Sequence, residues 1–125
     1  MGVTTGEVLK QLDAVMFTKN MTACILAHED DLIAKIFNTP RNAYKWMPES
    51  LRPEIDRGGG SKYEMFFPKM NSRIYCDLES RGDTIHWLHV SEAAFMDKER
   101  LDATLQAVPI GGIVTIETTA NGLEN

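Results

Sequence analysis

Residues 84–95, Thr-Ile-His-Trp-Leu-His-Val-Ser-Glu-Ala-Ala-Phe, hold the clearest chemical signal in the chain: a run of large apolar residues stops at a hydroxyl, Ser91, and a carboxylate, Glu92. A short run rich in β-branched and aromatic residues suits a central strand of a parallel sheet, and such sheets carry ligand sites just outside the carboxyl ends of their strands. A strand of this kind delivers a reactive acid to that end; the plainer alternative is a solvated acid closing a buried strand. The same stretch contains His86, His89 and Glu92 in the order His-x-x-His-x-x-Glu. On a helix all three share a face and could hold a metal for hydrolysis. On a strand, positions three apart point to opposite faces, and the β-forming residues Trp87, Leu88 and Val90 favour the strand.

Around this stretch, strands alternate with helices. Thr4 and Glu7 have the spacing of a capping box, and Val8, Leu12, Val15 and Met16 follow on one helical face, so a helix begins near Thr4. Residues 21–28 read as a strand, and Glu29, Asp30 and Asp31 suit the positive first turn of a second helix. Leu32, Ile33, Ile36 and Phe37 are its apolar face; Pro40 is expected to kink or end it near Asn38, with a further helical piece over 41–47. Residues 48–60, with two prolines and the triplet Gly58-Gly59-Gly60, read as a connection. Residues 61–67 and 72–77 form a hairpin, joined by Pro68-Lys69-Met70-Asn71.

The polar segment 78–83 puts Arg81 near the opposite end of the strand it precedes, or in a loop folding over a neighbouring strand. As a plain reading, Arg81 is a solvated residue in a turn made by Gly82. Residues 96–108 carry Leu101, Leu105 and Val108 at helical spacing, residues 111–119 form a further buried strand, and residues 120–122 turn. The expected fold class is α/β, a mainly parallel central sheet with flanking helices and right-handed crossovers, residues 21–28, 84–90 and 111–118 being its central strands.

Composition bounds the function. The 125 residues are one domain's worth of chain, and 43% hydrophobic content is enough for a real core. There is no apolar run of membrane-spanning length and no basic-then-apolar leader, so a cytoplasmic location is expected. Cys24 and Cys76 fall inside apparent strands at no metal-ligand spacing and read as reduced, packed thiols. A net charge of -5 opposes gripping nucleic acid through a broad basic footprint; contact with DNA would have to be local or shared with other parts.

Several stretches occur together in one order: Gly2-Val3-Thr4-Thr5 opening a helix, Ile25-Leu26-Ala27-His28 ending a strand, Ser80-Arg81-Gly82 before a strand ending His89-Val90-Ser91-Glu92, and Thr118-Thr119-Ala120-Asn121-Gly122 after another. That order resembles the ATPase domain of the large terminase subunit, the motor that packages DNA into tailed-phage heads, over nearly the whole chain. Ser-Glu-Ala-Ala-Phe and Thr-Ala-Asn-Gly are its specific parts. The resemblance implies a P-loop NTPase fold. In it Gly2, Thr4 and Thr5 bind ATP phosphate, Thr4 binds Mg2+, Glu92 of a Walker B strand activates the attacking water, and Arg81 is a finger that stabilises transition-state charge.

Thr118, Thr119 and Asn121 would form a coupling motif that senses nucleotide state. It further implies double-stranded viral DNA, a portal protein and a small terminase subunit as partners, a homo-oligomeric ring, and the host cell cytoplasm. Two positions depart from the pattern: Ser91 stands where an aspartate usually steadies Mg2+, so its contact would be direct through the hydroxyl or through water, and Val3 stands where Walker A has lysine. By this resemblance residues 1–125 are a fragment of a single ATPase domain. Its first strand, half of the phosphate loop and the adenine-contacting segment precede Met1, and the family's C-terminal nuclease domain is absent. A non-catalytic fragment that binds partners, or a gene remnant, stands as the alternative.

Overall fold

The computed structural model describes the backbone of residues 2–56 and 63–117, with side chains from residue 6 onward. Among these residues the chain is α/β. A five-stranded, mostly parallel sheet is flanked by three α-helices: α1 (Gly2–Phe17), β1 (Thr22–Leu26), α2 (Asp30–Trp46), β2 (Glu64–Phe67), β3 (Ser72–Asp77), β4 (Trp87–Val90), α3 (Lys98–Leu105) and β5 (Ile113–Ile116). The strand order is β2-β3-β1-β4-β5, all parallel except the β2–β3 hairpin. The hairpin therefore lies to one side, as expected.

Alternation along the strands builds two apolar layers, one on each face. Ala23 and Ile25 of β1 and Ile74 and Cys76 of β3 pack against Val8, Leu12, Val15 and Met16 of α1, together with Ile33, Ile36 and Phe37 of α2. Cys24, Leu26, Tyr75, Leu88 and Val90 face the other way, toward Leu101 and Leu105 of α3. The α1 stripe read from spacing is thus the stripe that is buried, although the helix starts at Gly2, before the expected Thr4.

Two expectations are corrected. α2 runs unbroken through Pro40 to Trp46. Proline removes one backbone hydrogen bond, but Ile33, Ile36, Phe37 and Pro40 form an i, i+3, i+4, i+7 stripe, all buried, and packing of that stripe outweighs the loss. The second correction is to the 111–118 strand: β5 is not central but has β4 as its one strand neighbour among the described residues. Its residues Ile113, Val114 and Ile116 keep 45, 40 and 53% of their surface exposed. The opposite edge is partly covered, by the bridge from Asp56 to Phe66 of β2.

The α3-to-β5 turn needs glycine at position 112. A Cβ there would meet Val108 Cγ1 at 2.6 Å and the His86 carbonyl oxygen at 3.2 Å. That close approach is what lets Ile113 N–H reach the His86 carbonyl at 2.9 Å and start the β4–β5 ladder.

Candidate functional site at the carboxyl end of the sheet

β4 ends at Val90, and the chain leaves the sheet through Ser91 and Glu92. Ser91 is buried, its N–H bonded to the Leu26 carbonyl at the end of β1 (3.0 Å). Glu92 takes the left-handed conformation, φ 56° and ψ 56°. Left-handed backbone costs a residue with a Cβ about 1–2 kcal/mol, and such strain persists where the surroundings over-determine it, commonly at functional sites. Here the over-determination is visible. Glu117, just past β5, donates its N–H to the Val90 carbonyl (2.9 Å) and accepts at its own carbonyl from Ala93 N–H (2.8 Å). The two bonds bracket Ser91 and Glu92. Glu92 Oε1 is buried with no hydrogen-bond partner among the described residues.

α1 is oriented toward the same end. Thr18 at its far end takes a bond at its carbonyl from Ser72 Oγ, at the start of β3. Gln11 Nε2 donates to the carbonyls of Cys24 (3.4 Å) and Trp87 (3.2 Å). Glu7 Oε1 accepts from Thr115 Oγ1 at 3.4 Å, and Thr115 is the register partner of His89. Followed backward the helix climbs the sheet, and the three residues from Glu7 to Thr4 add about 4.5 Å of rise toward the level where Ser91 and Glu92 leave it. The side chains of Gly2, Thr4 and Thr5 lie outside the described residues, as do Thr118, Thr119 and Asn121; Glu117 brings the chain to the threshold of the last three.

Arg81 is held elsewhere. The 78–86 connection folds over β3, which is neither the opposite end of β4 nor a strand neighbouring β4, so both placements expected for Arg81 are corrected. The Arg81 guanidinium lies 2.7 Å from Glu64 Oε1 and 3.8 Å from Asp77 Oδ2, stacked 4.0 Å over the Tyr75 ring. β1 lies between β3 and β4, so two strand spacings, about 9.6 Å, separate the strand Arg81 covers from the one that carries Glu92. Burial pushes the Tyr75 phenol up, with the Cys24 thiol beside it adding to the shift.

The His-x-x-His-x-x-Glu residues do not converge. Residues 87–90 are strand. His86 Nδ1 accepts from Thr22 N–H (3.0 Å) at the amino end of the sheet, whereas His89 is fully buried with Nε2 2.5 Å from Glu117 Oε1. Among the described residues no group of three or more His, Cys, Asp or Glu is placed to hold a metal ion, and no helix is long and apolar enough to cross a membrane. Cys24 and Cys76 are free, buried thiols. Burial pushes Cys24 up to about 12 and shifts Cys76 upward as well.

Sequence reading missed the His89–Glu117 pair. The only available signal was alternation, which puts residues 115 and 117 on one face of their strand and 87 and 89 on one face of theirs; that the two faces coincide depends on register. No protein-family model matches this chain, and no curated protein matches it. What stands is the architecture, an α/β protein with a mixed, mostly parallel sheet whose acid-bearing turn sits at the carboxyl end.

Proposed function

We propose that the chain is part of the ATPase motor of a viral terminase large subunit, a P-loop NTPase that couples ATP hydrolysis to translocation of double-stranded DNA into a phage prohead. The observation that carries this reading is the direction of α1, whose Glu7 bonds to Thr115 of β5 and whose amino end runs toward the same end of the sheet as the strained turn holding Glu92. A helix amino end offers backbone N–H groups that lack intrahelical partners and favours phosphate. A carboxylate oxygen with no partner among the described residues can accept a proton from water.

These donors fit a magnesium nucleotide in kind, a helix amino end for phosphate oxygens and a carboxylate for the water. Thr4 and Ser91 would hold Mg2+, Ser91 directly or through water, and bound Mg2+ neutralises phosphate charge. Glu92 orients and deprotonates the attacking water. Thr118, Thr119 and Asn121 follow β5 and carry the nucleotide state onward. Arg81 serves as the finger only after leaving Glu64. In the whole protein the partners are double-stranded viral DNA, the portal protein, the small subunit and further copies in a ring, in the host cytoplasm.

The β5 edge adds support: a half-exposed apolar strand is a place for another strand to pair, and the phosphate-loop strand of the proposed fold would fill it. The test is Glu92→Gln in a longer protein carrying this segment. ATP binding should be retained and turnover abolished, because the amide keeps the shape but accepts no proton. Turnover at the wild-type rate overturns the reading.

A further inference from the structure

Glu117 touches the Glu92 turn at two points and β4 at a third. Its N–H bonds to the residue before Ser91, its carbonyl to the residue after Glu92, and its carboxylate lies 2.5 Å from His89 Nε2 on the adjoining strand. The imidazole is fully buried, while the Glu117 side chain is 14% exposed. The ring's other nitrogen, Nδ1, has no hydrogen-bond partner among the described residues, so Glu117 is its polar anchor. Breaking this contact would leave a second unpaired nitrogen in a dry interior, which burial penalises. The side-chain contact therefore holds the backbone of Glu117 in register with β4, and that register closes the two bonds around Ser91 and Glu92. No other part of the described chain ties both sides of the left-handed residue to one neighbour. Glu117 is also the last residue before Thr118.

We propose that Glu117, anchored on His89, is a positioning residue for Glu92, holding its carboxylate in place through the Val90 and Ala93 bonds. This rests on the proposed ATPase reading for what Glu92 does, but the geometry itself can be tested without turnover. A small displacement of a reacting group is enough to matter, since misplacement by about 1 Å can cost on the order of a hundredfold in rate.

The experiment has two arms. In the 125-residue chain, amide hydrogen exchange is followed by NMR for wild type, Glu117→Ala and Glu117→Gln. The Ala93 amide should exchange at least about tenfold faster in Glu117→Ala, with the Cys24 and Ile25 amides of β1 unchanged, because only the local turn opens. Glu117→Gln still reaches His89 and should restore Ala93 protection. Unchanged Ala93 protection in Glu117→Ala overturns the proposal, and so does loss of protection throughout the sheet, which would make Glu117 a general stability residue.

In a longer protein carrying this segment, steady-state ATPase is measured for the same variants beside Glu92→Gln. Glu117→Ala should lower kcat on the order of a hundredfold with KM unchanged, and Glu117→Gln should recover most of it. If Glu92→Gln abolishes turnover while Glu117→Ala keeps the wild-type kcat, positioning fails and the ATPase reading stands. If Glu92→Gln turns over normally, the ATPase reading fails and the assignment of Glu117 to positioning a catalytic acid falls with it.

Discussion

The Arg81 guanidinium lies 2.7 Å from the Glu64 carboxylate, whose side chain is 4% exposed. Arg73 reaches the other oxygen of that carboxylate at 3.1 Å, so one buried acid is shared by two arginines, with the Tyr75 ring beneath one of them. Such a pair fixes the crossover to the hairpin, and it also withholds Arg81 from Glu92.

Replacing Arg81 separates these roles. In the 125-residue chain, Arg81→Ala should cost about 1–2 kcal/mol in urea unfolding, from the lost charge-assisted bond and ring contact, with Arg73 limiting the damage. In a longer protein the same change should lower turnover about a thousandfold if Arg81 acts as the finger. A stability loss with turnover near wild type would assign Arg81 to the fold alone.

Alkaline pH should destabilise the chain through its buried thiols. Cys24 rises from its ordinary 9.0 to about 12 because burial disfavours the thiolate. The folded state thus holds its proton at pH values where the unfolded chain releases it. Stability from this group is fully present below pH 9.0 and is lost as pH rises from there toward 12. The shift of Cys76 has the same sign. Urea midpoints should be level from about pH 7 to pH 8.5 and fall above about pH 9, and Cys24→Ala should fall less steeply. A midpoint independent of pH over that range contradicts the buried-thiol account.

Strain at Glu92 predicts an order of stabilities. Glycine enters the left-handed region freely, whereas alanine carries the same Cβ penalty as glutamate. Glu92→Gly should therefore be more stable than Glu92→Ala by about 1 kcal/mol, while both lack turnover in a longer protein. Equal thermal midpoints for the two would mean that the turn is not left-handed in solution.

The exposed β5 edge predicts association and weak activity. The 125-residue chain should self-associate with increasing concentration in sedimentation, and Val114→Lys should reduce it, since charge on an edge strand blocks pairing. If the ATPase reading holds, nucleotide binding and turnover should both be higher in a longer polypeptide that supplies a strand pairing with β5. Equal activity in the two would show that the phosphate site is built within residues 1–125.

Local pattern carried the elements far more reliably than their arrangement. The helical spacing of Val8, Leu12, Val15 and Met16 and the β-branched runs at 22–26 and 87–90 are legible because period 3.6 and period 2 are properties of the chain alone. Pro40 misled for the same reason. The rule that proline ends a helix is local, and here the buried face around Ile36 and Phe37 overrides it. Glu92 was legible as an acid at a strand end, but its left-handed backbone was not, because the bonds that impose it come from Glu117, 25 residues along the chain.

By itself, the sequence determined an α/β chain with an acid-bearing strand end, two buried thiols and no apolar span, since each of these follows from residue type and spacing. Only the tertiary structure decided that β1 separates Arg81 from Glu92, that β5 is an edge among the described residues, and that His89 meets Glu117. Strand order and register are settled by long-range pairing, in which a slip of one residue would turn His89 to the opposite face. No periodicity within a single strand encodes that choice.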